Sequence, residues 1–141
     1  MRATHIYWFG RLSLFLIFFW FGALKVFGVS PAEELVMHLY DKTLIELLAM
    51  PQFSILFGLF ECSLGILWLI PSATKIAFWV FLGHMMTTFL PLFFLPEDAW
   101  NDLFCPTLIG QYIIKNLALI GLALFVFGFS TQRFLDGDTP V

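Results

Sequence analysis

A chain of 141 residues that is 60% hydrophobic and only 12% charged falls outside the range of soluble domains, in which roughly 25% of residues are charged. The formal net charge of −3 and the lack of any Lys/Arg run argue against nucleic acid as a partner. Two cysteines, Cys62 and Cys105, are too few for a disulfide framework, and no C-x-x-C motif is present. The length implies one domain over residues 1–141 with no separate soluble lobe.

In chain order, the first apolar block predicts a membrane span over about 6–28, with Arg11 near its start. It is too long, and lacks a following small-residue site, to read as a cleaved signal. Ser30-Pro31-Ala32-Glu33 then has the form of a capping box, with Ser30 as N-cap, Pro31 at N1 and Glu33 at N3. The helix that follows, about 31–49, holds Glu33, Glu34, His38, Asp41, Lys42 and Glu46, which rules out a span. Leu35, Leu39, Leu44, Leu47 and Leu48 recur near helical spacing, so this segment reads as an amphipathic helix in the first outer loop, on the membrane or capping the bundle. Three more spans are predicted at about 52–70, 75–95 and 107–129, the first two ending at Pro71 and Pro96. The expected fold is an all-α membrane protein, a four-transmembrane-helix bundle with one extra amphipathic helix. Pro96-Glu97-Asp98-Ala99-Trp100 reads as a helix stop and interfacial turn that also stands where a pocket mouth would be rimmed.

Basic residues near span ends set the orientation. Arg2, Arg11, Lys75 and Arg133 fall on one side and Lys42 on the other, so both termini are expected in the cytoplasm and the chain in the cell (inner) membrane. Glu33, Glu34, Asp41, Glu46, Glu97, Asp98 and Asp102 then lie outside. Tyr7, Trp8, Trp79 and Trp100 are placed as interfacial aromatic residues.

Lys25, Glu61, His84 and Lys115 fall inside the spans. Each such charge costs at least ~2.5–3.5 kcal/mol at the bilayer centre unless it finds a partner. By helical rise, Lys25 lies about 6 Å from the outer end of its span, Glu61 and Lys115 about 12 Å, and His84 about 16 Å. All four are therefore expected in the outer half of the membrane, one per span. Spacing predicts inward stripes: Gly22 and Lys25; Gly58, Glu61 and Gly65; His84, Thr87, Thr88 and Pro91; Gln111 and Lys115. The candidate pocket is Lys25, Glu61, His84, Thr88, Gln111 and Lys115. Structural readings stand beside it: Lys25 snorkelling outward, Glu61 and Lys115 as an ion pair fixing helix register, His84 bonded to a neighbouring hydroxyl.

His5 and His38 read as solvated or interfacial, and no metal site is expected because no spacing supplies three or four converging ligands. Cys62 reads as a small packing residue, and a bridge to Cys105 is not expected because Cys62 lies about 13 Å below the outer surface.

The segment R-L-S-L…F-W-F-G-A-L-K from Arg11 to Lys25 resembles the opening of DoxX-like membrane proteins. Gly58…Glu61…Gly65, His84, and Gly110-Gln111-Tyr112-Ile113-Ile114-Lys115-Asn116-Leu117 continue the resemblance in order, over about 10–128. The resemblance implies a small four-helix membrane bundle related to the small membrane subunits of thiosulfate:quinone oxidoreductases. It brings no agreed catalytic residue set.

Three functions follow as expectations. One is a quinone-linked redox subunit or quinone/lipid-binding protein, with Lys115, His84 and Glu61 at the quinone oxygens and Phe18, Trp20 and Phe60 along its ring. Having no flavin or haem motif and no Cys pair of its own, such a chain would take electrons from a redox partner protein. The second is a small anion or lipid carrier acting as a homodimer, with Lys25 and Lys115 on an anionic head group. The third is a structural anchor or assembly subunit of a larger complex.

Overall fold

The structure, a computed structural model, describes residues 3–43 and 50–135. Four helical stretches, Thr4–Val26, Pro51–Leu69, Pro71–Phe94 and Leu108–Gln132, are long and apolar enough to cross a membrane. They belong to helices α1 (Ala3–Val26), α3 (Met50–Leu69), α4 (Thr74–Phe89) with α5 (Pro91–Phe94), and α7 (Leu108–Leu135). Between them lie α2 (Glu33–Thr43), a 3₁₀ turn at Pro71–Ala73, α6 (Pro96–Ala99) and a two-stranded hairpin of β1 (Trp100–Asp102) and β2 (Cys105–Pro106). This hairpin departs from a wholly helical expectation. Phe104 takes a positive φ of 62° in its turn.

The long helices alternate in direction. The start of α1 and the end of α7 share one end of the molecule, here the termini end; α2, α5, α6 and the hairpin occupy the opposite, loop end. α1 packs most extensively on α3, and α7 packs on α4 and α1. The shared core contains Leu14, Phe18, Leu64, Trp68, Phe81, Ala123 and Val126. Large apolar side chains such as Phe9, Trp20, Ile76, Trp79 and Leu117 cover the outside, as lipid-facing surfaces require.

Helix ends have local causes. The first span stops at Val26, two residues short of expectation. Gly28 adopts φ 67°, and Val29 N–H donates to Leu24 O at 3.0 Å, closing the helix with a left-handed glycine. Ser30 Oγ accepts from Ala32 N–H at 3.3 Å, a local turn rather than the full capping box, and α2 begins at Glu33. The expected continuation of this helix, with Leu44, Glu46, Leu47 and Leu48, lies outside the described residues. The third span is not one regular helix. Pro91 has no N–H to give Thr87 O, so Leu90 N–H takes that carbonyl at 3.2 Å and α5 starts afresh. At the start of α7, Thr107 Oγ1 accepts from Gly110 N–H at 3.1 Å and donates to Asp98 O at 2.6 Å.

Candidate functional site

Two glycines bring the α1 and α3 backbones together. A Cβ on Gly22 would lie 2.5 Å from Gly58 O, and one on Gly58 would lie 2.6 Å from Gly22 O, so neither position admits a side chain without the helices parting. Gly65 extends this seam, where a Cβ would lie 2.9 Å from Phe19 N. Lys25 is one turn beyond Gly22 and Glu61 one turn beyond Gly58, so the seam that joins the backbones also joins these side chains.

Lys25 Nζ donates to Glu61 Oε2 at 2.6 Å, with Lys25 and Glu61 only 6% and 5% exposed. The second carboxylate oxygen, Glu61 Oε1, meets His84 Nε2 of α4 at 3.4 Å. Glu61 thus links three helices. The Lys25 ammonium also lies 5.3 Å from the Phe57 ring centre. Snorkelling of Lys25 to the surface does not occur, because a buried carboxylate is within its reach.

The rings of Phe18, Phe57 and Phe60 surround the His84 imidazole at 5.5, 5.4 and 5.6 Å. Its Nδ1 is buried and has no hydrogen-bond partner. Phe53, Phe57 and Phe60 form a stacked series along α3, and Tyr40 of α2 meets Phe53 at 4.7 Å. An aromatic lane therefore runs from the loop end down to His84. Phe60 is 39% exposed along this lane. Trp20, expected beside the site, points outward instead.

The other expected pocket residues go elsewhere. Lys115 and Gln111 are exposed on the outer face of α7, and Lys115 Nζ lies 4.7 Å from the centre of the Tyr112 ring, on the turn toward the loop end. The inward face of α7 carries Gly110, Ile113, Asn116, Ala123 and Val126, and Lys115 lies about 100° round the helix from Asn116. A Cβ on Gly110 would lie 2.2 Å from Ala99 O, so the tight contact there fixes the helix rotation and sends Gln111 and Lys115 outward. The expected Glu61–Lys115 pair is therefore replaced by Glu61–Lys25. Thr88 is half-buried; its hydroxyl donates to Met85 O at 2.8 Å and accepts from Asn116 Nδ2 at 3.4 Å. Thr87 is exposed and caps His84 O at 2.7 Å, while Pro91 is buried.

Arg11 is a buried polar residue that the sequence analysis left outside the candidate site. Counted among the basic residues near span ends, it is 0% exposed, bonded through Nη1 to Tyr7 Oη and, at 2.7 Å, to Thr74 Oγ1. Tyr7, expected at the interface, is buried against Phe129. The sequence signal was available: Tyr7 and Arg11 are one turn apart, and Arg11 lies more than one turn inside an apolar block.

At the loop end, a depression of about 310 Å³ is lined by His38, Asp41, Lys42, Leu95, Glu97 and Asp98. His38 Nδ1 and Asp98 Oδ2 are 3.1 Å apart across it, so His38 links α2 to α6 rather than standing free. Cys62 and Cys105 are both free thiols. Among the described residues no group of three His, Cys, Asp or Glu side chains converges as a metal site. Comparisons with protein-family models, curated proteins and solved structures found no match.

Proposed function

We propose that this chain is a DoxX-like inner-membrane protein with both termini cytoplasmic, and that it binds the head group of a membrane quinone at His84, as a quinone-binding or quinone-linked redox subunit. The observation that carries this reading is the buried, unpartnered Nδ1 of His84 at the foot of an aromatic lane. A quinone is lipid-soluble and planar, and its carbonyl oxygens need hydrogen-bond partners. A protonated His84 donates from Nδ1 to a quinone carbonyl; a neutral one accepts from a hydroquinone hydroxyl. Glu61 and Lys25 supply the balancing charges behind it. Electrons come from a partner redox protein on this reading, the sequence having no flavin or haem motif and no C-x-x-C pair. Lys75 and Arg133 at the termini end support the orientation. The half-buried Leu35, Val36 and Leu39 beside exposed Glu34, Asp41 and Lys42 support a surface-lying amphipathic α2.

The test is extraction of the purified protein for bound quinones, followed by titration of the protein in lipid nanodiscs with a short-chain quinone, read by tryptophan quenching. Saturable binding that His84→Leu weakens at least tenfold and Lys115→Met leaves unchanged is the expected result. No saturable binding to the wild-type protein overturns it. The Lys25–Glu61 pair favours a second reading, a structural anchor or assembly subunit whose polar cluster only locks helices together. On that reading His84→Leu alters stability alone.

A further inference from the structure

A second polar centre lies at the termini end, separated from the first by the apolar layer of Leu14, Phe18, Leu64 and Phe81. It is built around Arg11. Nη1 uses both of its hydrogens, one on Tyr7 Oη and one on Thr74 Oγ1. Thr74 is held as an acceptor because its own hydroxyl hydrogen goes to Pro71 O at 2.7 Å. The rings of Tyr7 and Trp8 lie 5.1 and 5.6 Å from Cζ. What remains of the guanidinium is Nε and Nη2, both buried and without a partner. These two atoms form the side-on edge of the guanidinium, whose parallel N–H bonds match two oxygens of one planar or tetrahedral oxyanion.

The charge points the same way as the hydrogen bonds. Arg11 stays cationic at any physiological pH. No salt bridge from it to a carboxylate exists among the described residues, and Glu61, which lies in the other half of the packed helices, is taken by Lys25 and His84. One turn beyond Gly65, Trp68 of α3 is 0% exposed and its Nε1 is also unpartnered. Near this end, three buried N–H donors, Arg11 Nε, Arg11 Nη2 and Trp68 Nε1, are therefore without an acceptor among the described residues. A neutral water would satisfy a donor but not the charge.

We propose that Arg11 is the recognition element of an oxyanion site, which takes the paired oxygens of a phosphate or carboxylate group on the Nε/Nη2 edge. Tyr7 and Thr74 are positioning residues that hold Nη1 so that this edge faces the ligand. Trp8 is half-buried and packs against the same guanidinium, its ring 5.6 Å from Cζ. The chemistry is the same for a phospholipid head group, a fatty-acid carboxylate and free phosphate. This site is independent of whether His84 binds a quinone.

The experiment uses the purified full chain in a neutral detergent, with thermal unfolding followed as each of three probes is added: phosphatidylglycerol, oleate, and inorganic phosphate against chloride at equal ionic strength. The expected result is saturable stabilisation of the wild-type protein by at least one probe, with apparent affinity at least tenfold weaker in Arg11→Lys, which keeps the charge but loses the fork. A response to phosphatidylglycerol alone assigns the lipid head group, to oleate alone a carboxylate amphiphile, and to inorganic phosphate the free ion. Native mass spectrometry of the wild-type protein gives a second readout, an adduct of matching mass. If no probe stabilises the wild-type protein beyond the chloride control, or if a folded Arg11→Lys protein responds equally, the site does not exist as proposed.

Discussion

Lys25 Nζ and Glu61 Oε2 are 2.6 Å apart with both residues almost fully buried, on two helices whose backbones meet through Gly22 and Gly58. The pair is therefore a consequence of the helix crossing. Once the glycine seam fixes the height and rotation of α1 on the antiparallel α3, Lys25 and Glu61 flank the contact on opposite sides, and each side chain leans toward the start of its own helix and so toward the other. Buried ion pairs are asymmetric in their energetics: removing one partner leaves an uncompensated charge, whereas removing both does not.

That asymmetry gives the first prediction. Lys25→Met or Glu61→Leu alone lowers stability by about 3–5 kcal/mol, while Lys25→Met/Glu61→Leu together costs clearly less than the sum. Unfolding of the four proteins in mixed micelles, analysed as a double-mutant cycle, measures the coupling. Additive losses would mean that the two groups do not depend on each other.

Glycine substitutions along the helices separate close approach from propensity. Gly58→Ala places a methyl group 2.6 Å from Gly22 O, where the opposing atom is backbone and cannot rotate away. The helices must part, at a cost of about 1–3 kcal/mol. Gly83→Ala on α4 meets nothing within 4 Å, so the better helix former stabilises by about 0.5–1 kcal/mol. Thermal unfolding of the two variants should move in opposite directions, and equal losses would contradict the seam.

The rotation of α7 is open to direct measurement. A spin label at position 115 should be quenched strongly by dissolved oxygen, as lipid-facing positions are, because Lys115 is exposed; one at Ile113, which is 6% exposed, should be shielded. Lys115→Leu should change stability by no more than about 0.5 kcal/mol, as substitutions away from packed features do. Shielding at 115 with exposure at 113 would restore the rotation that spacing suggested.

The contrast between Lys25 and Lys115 shows what sequence patterning could and could not decide. The span positions were legible because about 20 consecutive apolar residues have few other uses. The inward faces of α1 and α3 were legible because Gly22 and Gly58 mark close approach in register with Lys25 and Glu61. On α7, two stripes competed: Gln111 and Lys115, which are polar, and Gly110, Ile113 and Asn116, which are small, apolar or amide. The contact that chooses between them, Gly110 against Ala99 O, involves a short helix and hairpin that no periodicity announces. Arg11 was left outside the candidate site for a related reason. A basic residue early in a span looks interfacial until the hydroxyls of Tyr7 and Thr74 are seen to close over it, and Thr74 belongs to another helix.

Gly110 provides the last prediction. Thr107 N–H donates to Ala99 O at 2.9 Å, and a Cβ on Gly110 would strike that same oxygen at 2.2 Å. Gly110→Ala therefore pushes α7 away from α6 and breaks the Thr107–Ala99 bond, although alanine favours the helix itself by about 1 kcal/mol. A clash with a backbone carbonyl that is already hydrogen-bonded outweighs that gain, so net destabilisation of about 1–3 kcal/mol is expected. The effect should be local: hydrogen exchange of the Thr107 amide should speed up sharply, while amides around Leu64 and Phe81 in the core keep their protection. An unchanged Thr107 exchange rate in Gly110→Ala would show that α6 does not pin α7, and would remove the physical reason for its rotation.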